Sequence, residues 1–145
     1  MTDTVAKQLL NDPRVHKARR LLHEALHDHR ANIKQPKPAD ADLAVEYQHL
    51  LEQFAKLRGG KLYYPYLGSG AGNGALVELA DGSVKYDFIT GIGVHAWGHS
   101  HADLLDASIT AALSDTIMQG NLQQDVASVE LAQMIVTAAN ARGAK

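Results

Sequence analysis

The residues that could do chemistry cluster in two places. His23-Glu24-Ala25-Leu26-His27 has the spacing of a zinc-protease motif, with two imidazoles one helical turn apart and a glutamate between them to act as general base. Glu46 stands where one zincin subgroup has its third ligand. Around the motif the residues argue otherwise. Arg19 and Arg30 flank the histidine stripe with positive charge, which opposes a dication. Only 22 residues precede His23, too few for the substrate-binding sheet of a zincin, and Pro36 and Pro38 interrupt the path to Glu46. The motif is read as the solvated polar face of a helix. In the second place, His95, His99 and His101 fall within seven residues, but no carboxylate lies just ahead of them. They are expected to end a turn and cap the next helix rather than bind a metal.

Two glycine runs also invite a functional reading. Gly70–Ala75 and Gly91–Ala96 both fit the loose G-x-G-x-x-G/A pattern of dinucleotide sites. That chemistry needs a helix N-terminus directly after the glycines to face a pyrophosphate. Neither run is followed at once by a helical pattern, so GSGAGNG is expected to be a mobile surface connection.

The elements that must position these residues follow from periodicity and punctuation. Asp12-Pro13 opens a helix whose apolar face, Val15, Ala18, Leu22, Ala25 and Leu26, extends to about Arg30. IKQPKPADAD breaks it. A second helix is expected from Asp42 to Leu57, stopped by Arg58-Gly59-Gly60. LYYPYL is extended, and ALVELADGSVKYDFI gives two short strands around the hairpin cue Asp81-Gly82. GIGVHAWGHSH is a loop. ADLLDASITAALSDT and VASVELAQMIVTAAN are helices. The fold class is therefore α+β: a helical N-terminal extension over residues 1–60, a short antiparallel hairpin, then two helices.

Bulk properties exclude several classes. The net charge is −2, with 11 Lys/Arg against 8 Asp/Glu in residues 1–61 and 3 against 8 in residues 62–145. Neither half is basic enough to suggest nucleic acid as a partner. The absence of cysteine removes disulfides, thiolate metal sites and thiol nucleophiles. MTDTVAKQLL has no apolar core of a secretory signal, and no apolar run is long enough to span a membrane. A cytoplasmic setting is expected.

Several short motifs occur together in order: Asp81-Gly82, Tyr86-Asp87-Phe88, Gly91-Ile92-Gly93-Val94 and Gly98-His99-Ser100-His101 opening a helix. With these, residues 75–113 resemble the N-terminal part of class III pyridoxal-phosphate-dependent aminotransferases, fold-type I transferases acting on ornithine, 4-aminobutyrate and related amines. The likeness continues through Asn121-Leu122 and Glu130-Leu131-Ala132, covering about residues 62–143. Ala102 stands where the family usually has proline. Gln123 and Gln124 replace an aromatic, which leaves the substrate class open.

The resemblance implies a homodimer that moves an amino group from an amino acid or ω-amine to a 2-oxo acid through pyridoxal 5'-phosphate. It implies that Gly91, Ile92 and Gly93 line the substrate entrance, and that Asn121 and Leu122 face the neighbouring subunit's cofactor. The Schiff-base lysine, the aspartate on the pyridine nitrogen and the phosphate loop lie, in the family, beyond the last helix matched. Lys61 and Lys85 have no family counterparts. Residues 61–145 are thus expected to be the front of an aminotransferase domain, catalytically silent alone. A stand-alone binding or dimerisation domain is the alternative. In either case the last helix, with Val126, Val129, Leu131, Ile135 and Val136, is expected to show apolar surface and to promote self-association.

Overall fold

The computed structural model describes residues 3–115, 124–141 and 143. The chain packs as two compact units, Met1–Ile109 and Thr110–Lys145. The first holds α1 (Val5–Leu10), α2 (Pro13–Arg30), α3 (Ala41–Leu57), β1 (Gly68–Asn73), β2 (Leu76–Leu79), β3 (Val84–Tyr86) and most of α4 (Ala102–Ala112). The second contains α5 (Val126–Ala141). The fold is α+β, with N-terminal helices, a three-stranded antiparallel sheet and two later helices. No described helix is long and apolar enough to cross a membrane.

The starts of α2 and α3 are made by aspartates. Asp12 accepts the Arg14 N–H at 2.8 Å and Asp40 accepts the Asp42 N–H at 2.9 Å, each filling one of the donor groups that a helix leaves free. Pro13 follows Asp12 at the first helical position, where its missing N–H costs nothing. At the end of α3, Gly59 takes φ 77° and the Gly60 N–H reaches back to the Ala55 carbonyl at 2.9 Å. The short helix α1, capped by Thr4, carries no apolar period of its own and was not anticipated from the sequence.

The sheet corrects one expectation. GSGAGNG is not a free connection: Gly68–Asn73 pairs antiparallel with β2, through Gly68 opposite Leu79 and Gly72 opposite Val77. The expected hairpin, β2 with β3, is therefore the inner part of a sheet ordered β1-β2-β3. A bulge between Gly68 and Gly72 shifts the register, and that irregularity is what hid the strand, because alternation of side chains is lost where glycine supplies none. The β2–β3 turn is the one the Asp-Gly pair predicts. Gly82 adopts φ 73°, and the Asp81 carboxylate accepts the Ser83 N–H at 2.9 Å.

The core is small and lies on this sheet. Ile33, Leu76 and Val84 form one buried cluster, and Leu79 of β2 is also buried, at 5% exposure. Ile33 comes from the segment after α2, which Lys37 ties to the sheet by a two-way backbone bridge with Val84 at 3.1 Å in each direction. The proline-interrupted linker is thus a minimal second neighbour of β3, on the side away from β2.

Candidate functional site

The connection from β3 to α4 contains every residue expected at a substrate entrance, and one side chain organises it. Asp87 directly follows β3, and its Oδ1 accepts the N–H groups of Ile89 and Thr90, both at 2.9 Å. Its Oδ2 meets His99 Nε2 at 2.8 Å. One carboxylate therefore holds both ends of the loop. Both side chains are largely enclosed, at 15% and 16% exposure, which strengthens the pair relative to a surface contact. The His99 hydrogen bond, with the Thr90 and Ile89 N–H groups, holds the Asp87 carboxyl below the usual carboxylate range, against partial burial.

The histidine is fixed from two further sides. His99 exchanges backbone hydrogen bonds with Gly74, at 2.8 and 3.1 Å, and its ring packs against that of His95 at 4.1 Å between centroids. It also lies over Gly72, where an added Cβ would sit 2.7 Å from the His99 Cβ. Only glycine allows that approach. Ser100 completes the attachment by donating to the Gly72 carbonyl at 2.8 Å.

Between these anchors the chain is tightly turned. Thr90, Ile92 and Ser100 have φ of 52°, 55° and 59°, alongside Gly91, Gly93 and Gly98 at 58°, 89° and 86°. A β-branched residue in the left-handed region costs on the order of 1–3 kcal/mol and persists only where its surroundings impose it. Here the Ile92 N–H is bonded to the Ile89 carbonyl, and the His95 N–H to that of Thr90, both at 2.9 Å. The consequence is presentation: Gly91, Ile92 and Gly93 are exposed at the tip, with Ile92 at 93%. An exposed isoleucine on a strained, twice-anchored turn can offer an apolar contact to something that approaches the loop.

The three loop histidines are not brought together as a set. His99 belongs to Asp87, His95 stacks on it, and the His101 carbonyl accepts the Leu105 N–H at the start of α4. The expectation that they end a turn and cap the next helix holds only for the backbones, because the His101 ring at the start of α4 keeps its Nδ1 buried without a hydrogen-bond partner among the described residues. That expectation also missed Asp87, twelve residues upstream of His99, whose place just after a strand gave no signal of the pairing. The residues of the His-Glu-x-x-His motif also go separate ways. His23 meets Asp106 of α4 at 3.1 Å, a carboxylate shared with Arg19, while Glu24 pairs with Arg20 at 3.5 Å. The Arg19 hydrogen bond, then that of His23, lowers the Asp106 pKa. Among the described residues, no group of three or more His, Cys, Asp or Glu is disposed to hold a metal ion.

Asn121 and Leu122 lie outside the described residues. Pyridoxal phosphate needs an enclosed lysine with an oriented amine and a phosphate cradle. Every described lysine is exposed, including Lys61 and Lys85, so the described residues do not by themselves fit the cofactor. No family model, curated protein or solved structure matches the chain.

Proposed function

We propose that residues 62–143 form the N-terminal part of a class III pyridoxal-phosphate-dependent aminotransferase, a homodimeric enzyme passing an amino group from an amino acid or ω-amine to a 2-oxo acid. The reading rests first on the order of motifs from Asp81-Gly82 to Gly98-His99-Ser100-His101. The observation that carries it is the Asp87–His99 clamp, because the aspartate of Tyr-Asp-Phe and the first histidine of Gly-His-x-His meet at 2.8 Å and frame the Gly-Ile-Gly-Val tip. In this reading the tip shapes the substrate entrance, and Ile92 selects among donors by apolar contact. Asn121 and Leu122 approach the partner subunit's cofactor. None of these residues transfers a proton, so the Schiff-base chemistry belongs to other parts of the enzyme, in the cytoplasm.

The test is the native coding sequence beyond the codon for Lys145. A strand leading to a glycine-rich phosphate loop, with an aspartate and a lysine further on, supports the enzyme. Full-length protein should then show an internal-aldimine absorbance, and Ile92→Ala should change KM for the amino donor more than kcat. A stop codon after Lys145 removes the enzyme and leaves a non-catalytic binding or dimerisation domain.

A further inference from the structure

Between the C-terminal end of α2 and the glycine strand β1 lies a cleft of about 420 Å³, within the size range of small-ligand sites. Its floor is apolar. Leu26, Ile33 and Val84 contribute to it, the last two only 5% and 2% exposed. Its lining is also basic, with His29, Arg30 and Lys37 among the residues around it. Arg30 gives a hydrogen to the Ser100 carbonyl, which fixes the guanidinium beside the cleft. Lys37 is anchored through its backbone to Val84, so its side chain starts from a fixed point above the floor. Neither the Lys37 ammonium nor the His29 ring has a partner among the described residues. The carboxylate in the lining, Glu78, already accepts a hydrogen bond from the Ser69 hydroxyl at 2.9 Å.

Basic residues at a helix C-terminus ordinarily answer the helix dipole, which would itself repel an anion. Two features set this end apart. The carbonyls of His27, His29 and Arg30 accept the N–H groups of Ala31, Asn32 and Ile33 at 2.9–3.1 Å, and Asn73 adds a side-chain N–H to the Arg30 carbonyl at 3.3 Å. Those carbonyls are thereby satisfied within the protein rather than left as free acceptors. Lys37 lies outside the helix altogether and does not serve its dipole.

We propose that this cleft binds a small organic carboxylate, its head group at Lys37, Arg30 and His29 and its short hydrocarbon body on Leu26, Ile33 and Val84. The site does not rest on the aminotransferase reading: it shares the loop anchor Ser100, whose carbonyl fixes Arg30, but none of Gly91, Ile92 and Gly93. The experiment titrates the intact chain with isovalerate, with the uncharged isovaleramide and with inorganic phosphate, following methyl NMR signals and heats of binding. Saturable isovalerate binding that shifts the methyls of Leu26, Ile33 and Val84, and weaker binding of both controls, is expected. Lys37→Gln, at an exposed side chain, should weaken isovalerate about tenfold, the loss of one charged hydrogen bond, with an unchanged far-UV circular dichroism spectrum. Absence of saturable shifts at those methyls overturns the proposal. So does undiminished binding by Lys37→Gln, or phosphate or the amide binding as tightly as isovalerate.

Discussion

The sheet region and α5 are both rich in small and apolar residues, yet they use them in opposite ways. In the sheet region the described strands are only three to six residues long, but Leu76, Leu79, Ser83 and Val84 are all buried. Helix α5 runs for sixteen residues with no buried residue, and Val126, Val129, Leu131, Met134, Ile135 and Val136 are each more than half exposed. Regular structure and burial are therefore separate achievements. A helix satisfies its backbone within itself, so α5 forms whatever covers it. A strand must find neighbours, and in doing so gathers side chains from residues far apart in the chain.

The comparison breaks most sharply at Gly72. A valine there would place its Cβ 2.7 Å from the His99 Cβ, 2.8 Å from Cγ and 2.9 Å from the Leu76 carbonyl, contacts that backbone on both sides cannot relieve. Gly72→Val should destabilise the sheet unit by about 3 kcal/mol, the upper end of overpacking, read as a lower denaturant midpoint. Gly60→Ala, where nothing lies within 4 Å, should stay within about 0.5 kcal/mol. Equal effects at the two glycines would mean that His99 is not seated over β1.

Val84→Ala comes next. The side chain is 2% exposed and belongs to the Ile33–Leu76 cluster, so removing two methyl groups should cost about 2 kcal/mol in chemical unfolding. A loss well below 1 kcal/mol would show that the small core does not limit stability.

Asp87→Asn tests the clamp rather than the core. It exchanges a charged acceptor for a neutral one while keeping the shape, and should cost about 1–2 kcal/mol near neutral pH. The sign of the pH dependence follows from the lowered pKa. The folded carboxyl titrates below its ordinary value of 3.8, so its stabilisation is complete above that pH and disappears as pH falls through the folded value. The stability gap between the natural chain and Asp87→Asn should therefore close below pH 3.8. Amide exchange at Ile89 and Thr90 should rise in the variant even at neutral pH, because both N–H groups bond to this side chain.

Which of these features the sequence discloses depends on the range of the interactions behind them. Asp12-Pro13 and Asp81-Gly82 act over two or three residues, and both the helix start and the turn are where those pairs place them. The α2, α3 and α5 spans follow from a period repeated over several turns. β1 was obscured because a glycine strand has no side-chain alternation, and its pairing depends on Leu76–Leu79, beyond a turn. The clamp was hidden for a related reason. His99 and Asp87 are each ordinary in isolation, and only the fold of the intervening loop brings them to 2.8 Å. Likewise, His23 and His27 match a motif by spacing, but Asp106, 83 residues from His23, decides where the first of them points.

The smallest effect expected is on α5, and it sharpens the comparison most. Leu131 is 58% exposed on that helix, so Leu131→Ala removes few contacts and should change stability by less than about 0.5 kcal/mol. Alanine is also the better helix former, which offsets part of any loss. A lysine at Val129, 67% exposed, should be tolerated equally well by the fold while lowering both hydrophobic-dye binding and self-association, because it breaks the apolar surface rather than any packed contact. A loss of 2 kcal/mol or more from Leu131→Ala, comparable to that of Val84→Ala, would mean that α5 is packed in solution as tightly as the sheet. Dilution separates the two ways in which that could arise. Packing against a second copy weakens as the concentration falls, whereas packing within one chain does not.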